Sequence, residues 1–311
     1  MTEVRGTVLN GTGGIWAVRT TDGVTLDASL RGRLKQESAS MKLAVGDEVT
    51  VARDDAESAW AISEIHPRRG VLARRAPGKA RGERVVAANV DQVLVVFAAA
   101  KPEPHVRMLD RFLVISEGND LPAHVVFNKV ELVGGPSGVD GIARDYERAG
   151  YHVHRTSVKQ KIGLDEMHDV LAGKTSALTG PSGVGKSSLV NALFPGVDLR
   201  TAEISESVNK GRHTTVGAVF VPLVDARGGF IVDTPGLREV GMWGLPPENL
   251  DRCFPEFRPY LGECRFDNCS HEHEPKCAVR DAVEAGSVSR ERYESYVKLR
   301  GELEEQDSAR W

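Results

Sequence analysis

The sequence predicts a multi-domain chain. An N-terminal β-barrel of the OB-fold type precedes a central α/β domain built on a phosphate loop, and a C-terminal zinc-binding, mainly helical domain follows. Three features predict this. Short apolar runs alternate with turn signals from residue 4 to about 66. The run Gly180-Pro181-Ser182-Gly183-Val184-Gly185-Lys186-Ser187 is a complete G-x-x-x-x-G-K-[ST] loop set among alternating strand and helix patterns. Three of the four cysteines crowd with a histidine near the C-terminus. A chain of 311 residues has room for two or three domains.

Composition narrows the classes of function. The formal net charge is −4, so no global field draws the chain to nucleic acid, and any such surface is local. The longest apolar run, Val93–Ala100, is far too short to cross a bilayer. Met1 to Asn10 has no basic segment leading into an apolar run, so no signal peptide is expected. Clustered cysteines fit a metal site in a reducing compartment better than a disulfide framework, and the cytoplasm is the expected location.

Residues 1–66 carry the barrel. Its candidate strands are Val4–Leu9, Ile15–Arg19, Val24–Ala28, Glu48–Ala52 and Trp60–Ile65, separated by glycine- and aspartate-rich turns such as Asp22-Gly23 and Gly46-Asp47. Such barrels often bind RNA, though one without a ligand is equally compatible with the pattern. Residues 67–88 form a basic linker with Arg68, Arg69, Arg74, Arg75, Lys79, Arg81 and Arg84. Pro67, Pro77 and Gly78 argue against a regular element there. The run reads either as a solvated linker or as a flexible arm on phosphates.

Residues 89–245 alternate strands and helices, which predicts a mainly parallel sheet covered on both faces. The phosphate loop follows a candidate strand, Thr175–Thr179, and opens a helix with Val184, Leu189, Val190 and Leu193 at helical spacing. Lys186 is expected to reach the β- and γ-phosphates, Ser187 to bind Mg²⁺, and the whole run Gly180, Pro181, Ser182, Gly183, Val184, Gly185, Lys186, Ser187 and Ser188 to bind the nucleotide. Asp233-Thr234-Pro235-Gly236 follows the apolar run Phe230-Ile231-Val232 and has the form D-x-x-G. Asp233 would support Mg²⁺, and the Gly236 N–H would meet the γ-phosphate.

Asn128-Lys129-Val130-Glu131 follows the candidate strand Ala123–Phe127 and is similar to the guanine-reading N-K-x-D of GTPases. That chemistry needs a carboxylate to accept from the guanine N1–H and its exocyclic amine; adenine leaves such a carboxylate unpaired. Glu131 keeps the carboxylate on a stem one methylene longer, and whether it relaxes the preference for guanine stays open. Ser157, in Thr156-Ser157-Val158-Lys159, falls where GTPases close a loop over the base. Asn128 precedes Gly180 in the chain, the reverse of the order in ordinary small GTPases, so the domain is a circularly permuted P-loop GTPase domain.

Residues 246–311 hold Cys264, Cys269, His271 and Cys277 in the spacing C-x4-C-x-H-x5-C. Three thiolates and an imidazole suit one tetrahedral, structural Zn²⁺, which would stabilise a region too short for a large core. Cys253 is read as buried and unligated, the alternative being that it replaces His271. A helix over roughly Ser289–Glu304 places Tyr293, Tyr296, Val297 and Arg300 on one face, read as packing.

The permuted motif order, the barrel and the zinc cluster together resemble the circularly permuted bacterial small ribosomal subunit biogenesis GTPase family, RsgA. The matching runs include Val45-Gly46-Asp47, Ala88–Val93, Asn128-Lys129, Gly180–Ser188, Gly211-Arg212-His213-Thr214-Thr215, Asp233–Gly236, Cys264-Arg265-Phe266, Cys269-Ser270-His271 and Arg292-Tyr293. The resemblance implies GTP hydrolysis to GDP and phosphate, coupled to late maturation of the small ribosomal subunit. It also implies 16S rRNA and ribosomal proteins as partners and a monomer that does not engage membranes. Leu237 occupies the place where many small GTPases carry a water-orienting Gln, so slow hydrolysis by the free protein is expected. His213 is the nearest polar candidate for positioning water, and one of Thr214 and Thr215 is expected to meet Mg²⁺. Two other functions stand beside this reading: a nucleotide-controlled rRNA-binding module with incidental turnover, and another P-loop enzyme using ATP.

Overall fold

The computed structural model describes residues 2–31, 34, 43–53, 59–75, 83–197, 199, 218–233 and 245–308. Two units make up the chain. One comprises Met1–Gln92, Asp165–Leu178 and Ser187–Glu239, the other Val93–Leu164, Thr179–Lys186 and Val240–Trp311.

In the first unit, β1 (Thr2–Thr12), β2 (Ile15–Thr20), β3 (Thr25–Leu30), β4 (Glu48–Arg53) and β5 (Trp60–Ile65) close into a barrel in the order β1-β2-β3-β5-β4. β1 runs antiparallel to β2 and to β4, while β3 and β5 pair in parallel. This is the five-stranded barrel expected from the turn spacing, and closure leaves no free sheet edge. Val8, Val18, Ala28, Val49, Val51 and Ile62 point inward and form its core.

The barrel is locked to the segment after it by polar groups. Asp47 is fully buried; it accepts from the Ala44 N–H at 2.7 Å and from Arg68 Nε at 2.6 Å and Nη2 at 2.8 Å. Asn89 Nδ2 donates to Gly46 O at 2.9 Å, and its Oδ1 accepts from the Arg69 N–H at 2.8 Å. At Gly46, with φ 84°, a Cβ would lie 2.2 Å from both Ala88 O and the Phe220 ring, so only glycine fits.

The basic run is not structureless. β6 (Val71–Arg75) and β7 (Glu83–Ala88) form a two-stranded antiparallel ribbon. Pro67 precedes it, and Pro77 and Gly78 fall in its connection, outside the described residues. The breakers therefore delimit the strands, and Val71, Leu72, Val85 and Val86 supply the β propensity between them.

The α/β part contains β8 (Gln92–Ala98), α1 (Val106–Glu117), β9 (Ala123–Asn128), α2 (Asp140–Arg148), β10 (His152–Arg155), α3 (Leu164–Leu171), β11 (Thr175–Thr179), α4 (Lys186–Leu193), β12 (Val219–Pro222) and β13 (Phe230–Asp233). Its strands form one six-stranded sheet in the order β10-β9-β8-β11-β13-β12. β8, β9 and β10 pair in parallel, as do β11 and β13, whereas β12 is an antiparallel edge. β8 is buried along its whole length, which explains its unbroken apolar run.

The C-terminal region combines short 3-10 turns between Pro247 and Tyr260 with α5 (Ala278–Glu284) and α6 (Arg290–Ser308). Phe254, Phe257 and Tyr296 pack as its aromatic core, with ring centroids 5.1 to 5.5 Å apart. Cys253 is buried here, and burial pushes its thiol up to about 12, which fits the inert role read from the sequence. Among the described residues, no helix is long and apolar enough to cross a membrane.

Candidate nucleotide site and metal centre

Strand ends in the sheet bring the sequence motifs together. β9 ends at Asn128 and β11 at Thr179, one residue before Gly180. Gly180 has φ 130°, and a Cβ there would stand 2.0 Å from Val96 O. At Gly185, with φ 96°, it would stand 2.5 Å from Asn128 Nδ2. Glycine is thus required twice, once to let the loop leave β11 against β8 and once to let Asn128 approach. Lys186 Nζ donates to Gly180 O and Pro181 O, each at 2.8 Å, so its ammonium lies over the loop.

The Asn128–Glu131 segment is bonded directly to that loop. Asn128 is buried, and its Nδ2 donates to Val184 O at 3.0 Å; its Oδ1 accepts from Thr156 Oγ1 at 3.1 Å. Lys129 adopts left-handed backbone, φ 61°, and its Nζ donates to Gly183 O and to Lys101 O. Val130 is buried and opens a 3-10 turn over Val130–Val133, with Glu131 in its first turn. Among the described residues, Glu131 Oε2 is a buried oxygen with no hydrogen-bond partner. A buried acceptor with no donor costs on the order of 1–3 kcal/mol, more when charged, a cost that a ligand's donor would relieve. Ser157, fully buried, accepts from the Gln160 N–H at 3.0 Å and pins the loop after β10.

Ser182 lies within the phosphate loop; Ser187 and Ser188 follow Lys186 in the first turn of α4. Asp233 ends β13 in register with Leu178 of β11. Gly236, His213, Thr214 and Thr215 lie outside the described residues. Sequence reasoning missed the Lys101 carbonyl, which receives the Lys129 ammonium at 3.0 Å. Its only signal was position, just past the end of a buried parallel strand, where open sheets bind ligands.

The second constellation is the Cys264, Cys269, His271 and Cys277 cluster, whose ligand atoms all lie within 4.8 Å of one another. His271 Nδ1 is 3.6 Å from Cys264 Sγ and 3.4 Å from Cys277 Sγ, and the two sulfurs are 4.0 Å apart. Bond lengths of about 2.3 Å to sulfur and 2.0–2.1 Å to nitrogen give tetrahedral edges of roughly 3.6–3.8 Å, so these donors fit zinc. His271 turns Nε2 toward Asp251 Oδ2 at 3.5 Å, an outer carboxylate that would fix the tautomer and leave Nδ1 to the metal. Burial pushes the Cys269 thiol up to about 12, with the neighbouring Cys277 and Cys264 adding to it. A bound dication would reverse that and hold thiolates. The loop backbone is held from α6: Tyr293 OH donates to His271 O at 2.7 Å and Tyr296 OH to Ser270 O at 2.8 Å.

The family model for the RsgA GTPase matches residues 65–243. A relative named small ribosomal subunit biogenesis GTPase RsgA, from Gemmatimonas aurantiaca, is 60% identical over 97% of this chain and 98% of its own length. Another of that name, from Phocaeicola vulgatus, is 38% identical over 97% and 98%. Among solved structures, YjeQ from Thermotoga maritima superposes with a TM-score of 0.79 at 33% identity, covering 97% of this chain and 99% of that one. YloQ, described as a circularly permuted GTPase, gives a TM-score of 0.76 at 27% identity over 98% and 96%. Both motif sets, in their permuted order, fall within a chain matched along nearly its whole length; the chain belongs to the RsgA GTPase family.

Proposed function

We propose that this GTP hydrolase binds the small ribosomal subunit and couples GTP hydrolysis to its late maturation, with the subunit stimulating the reaction. The observation that carries the nucleotide part is the joint between Asn128-Lys129 and the phosphate loop, with the buried Glu131 Oε2 beside it. Asn128 holds the loop, Lys129 spans it, and Glu131 accepts from the guanine N1–H and exocyclic amine. Lys186 and the backbone of Gly180–Ser188 bind the phosphates. Ser187 and Asp233 hold Mg²⁺, which neutralises charge on the β- and γ-phosphates. One of Thr214 and Thr215 meets the same ion, the Gly236 N–H meets the γ-phosphate, and His213 positions the attacking water. The partner follows from the relatives, which are named for small-subunit biogenesis. The barrel and the basic ribbon contact 16S rRNA, and ribosomal proteins complete the surface, in the cytoplasm.

Hydrolysis of GTP and ATP, each with and without purified small subunits, tests the proposal. GTP turnover should be slow alone and rise at least tenfold with subunits, while ATP stays near background. Unchanged turnover with tight subunit binding would favour the rival reading, a nucleotide-controlled rRNA-binding module.

A further inference from the structure

Arg292-Tyr293, a motif the nucleotide chemistry leaves unused, lies in the first turn of α6 and has partners on two sides. Tyr293 holds the carbonyl of the metal-ligand candidate His271. Arg292, its neighbour, holds α1. Its Nη1 donates to Asp110 Oδ1 at 2.6 Å, and its Nε and Nη2 donate to Glu256 at 2.7 and 3.1 Å. The Arg292 side chain is 2% exposed and that of Asp110 1%. Tyr146 OH from α2 donates to the same Asp110 oxygen at 2.9 Å, and the guanidinium lies 4.6 Å from the Phe254 ring. Arg111–Glu302 and Glu117–Arg258 pairs tie α1 to the C-terminal region at two further points.

The other end of α1 leads to the nucleotide site. The short connection from β8 to α1 contains Lys101, whose carbonyl accepts from Lys129 Nζ, and the same ammonium donates to Gly183 O of the phosphate loop. Four joints thus run in series: His271 backbone to Tyr293, Arg292 to Asp110, α1 to Lys101, and Lys101 to Lys129. The central joint cannot stretch gradually, because separating Arg292 from Asp110 leaves a buried charge unpaired. Well-packed joints of this kind have low compressibility and transmit strain.

We infer that the metal loop and the base-reading loop are thermodynamically coupled through Arg292, so that metal on the Cys264 cluster tightens guanine-nucleotide binding. The inference rests on the proposed roles of Asn128–Glu131 and of the Cys264, Cys269, His271, Cys277 cluster. Linkage then requires the reverse effect by the same factor: GDP must tighten zinc. Arg292 acts here as a positioning residue, since it touches neither ligand.

The experiment uses the full chain. GDP affinity is titrated with zinc loaded and stripped, and zinc affinity is measured against a chelating dye with and without GDP. The two factors should agree and be at least about fivefold. The Arg292→Met variant, and the charge-neutral triple variant Asp110→Asn/Glu256→Gln/Arg292→Met in case the single one fails to fold, should still bind both ligands with the factor reduced toward one. A purely structural role would lower the melting temperature and leave the factor unchanged. If wild-type protein binds both ligands and the factor is one, the coupling is overturned. If it fails to bind GDP or zinc at all, the site assignments fall and the coupling with them.

Discussion

Replacing Glu131 by glutamine isolates the group proposed to select the base. Among the described residues, Glu131 Oε2 is buried and has no partner, and in the proposed reading the carboxylate accepts from two guanine donors, N1–H and the exocyclic amine. Hydrogen bonds to a charged group contribute about 1.5–3 kcal/mol each. Two of them amount to about 3–6 kcal/mol, or roughly 10²–10⁴ in affinity. Glutamine turns an N–H toward the exocyclic amine and loses the charge, so Glu131→Gln should weaken GDP by that factor and leave the weak binding of ADP unchanged. Xanthine carries a carbonyl where guanine carries the amine. The same variant should therefore bind xanthosine diphosphate more tightly than the wild-type protein does, a gain that misfolding cannot produce. Isothermal titration of the three nucleotides against both proteins reads all of this. GDP affinity retained within about threefold, or no gain for xanthosine diphosphate, would refute the assignment of Glu131.

Native protein should contain one equivalent of zinc, and Cys269→Ser should lose it and loosen the metal loop, as metal analysis and proteolysis would reveal. Asp47→Ala strips Arg68 and the Ala44 N–H of their shared acceptor, which should cost about 3–5 kcal/mol in denaturant unfolding. Deleting residues 1–66 should weaken binding to small subunits and leave GDP affinity nearly unchanged, and the full chain's affinity should fall steeply with salt in a sedimentation assay. His213→Ala should reduce subunit-stimulated turnover by roughly a hundredfold while GTP affinity barely changes, measured by single-turnover hydrolysis.

The parts of this molecule legible in its sequence are those whose chemistry is local. A phosphate loop needs glycines at fixed offsets because the backbone itself does the work, and Gly180 and Gly185 are where a Cβ collides. The four candidate metal donors fall within one short stretch, and the cysteine spacing discloses their cluster. The barrel strands were visible because short apolar runs alternate there with glycine- and aspartate-rich turns. The β6–β7 ribbon was not, since prolines that bound a strand look the same in sequence as prolines that forbid one. Lys101 was invisible because it contributes a carbonyl, which every residue has.

The Arg292–Asp110 pair was hidden for another reason, and it bears on what the C-terminal region is. The two residues are 182 positions apart, and nothing local about either one names its partner. Asp110 sits on α1 among buried apolar residues such as Leu109, Phe112 and Leu113, where a carboxylate would be a defect without a cation. The cation comes from the far end of the chain. An α/β domain that ended with its own last strand would have to satisfy Asp110 alone or do without it. Burying a charge there makes sense only if residues 246–311 are always present. In the permuted order that is assured, because the chain passes from the D-x-x-G segment directly into that region. The C-terminal region is therefore one wall of the second unit, and a metal held by its Cys264, Cys269, His271 and Cys277 cluster would steady the loop that α6 joins to α1.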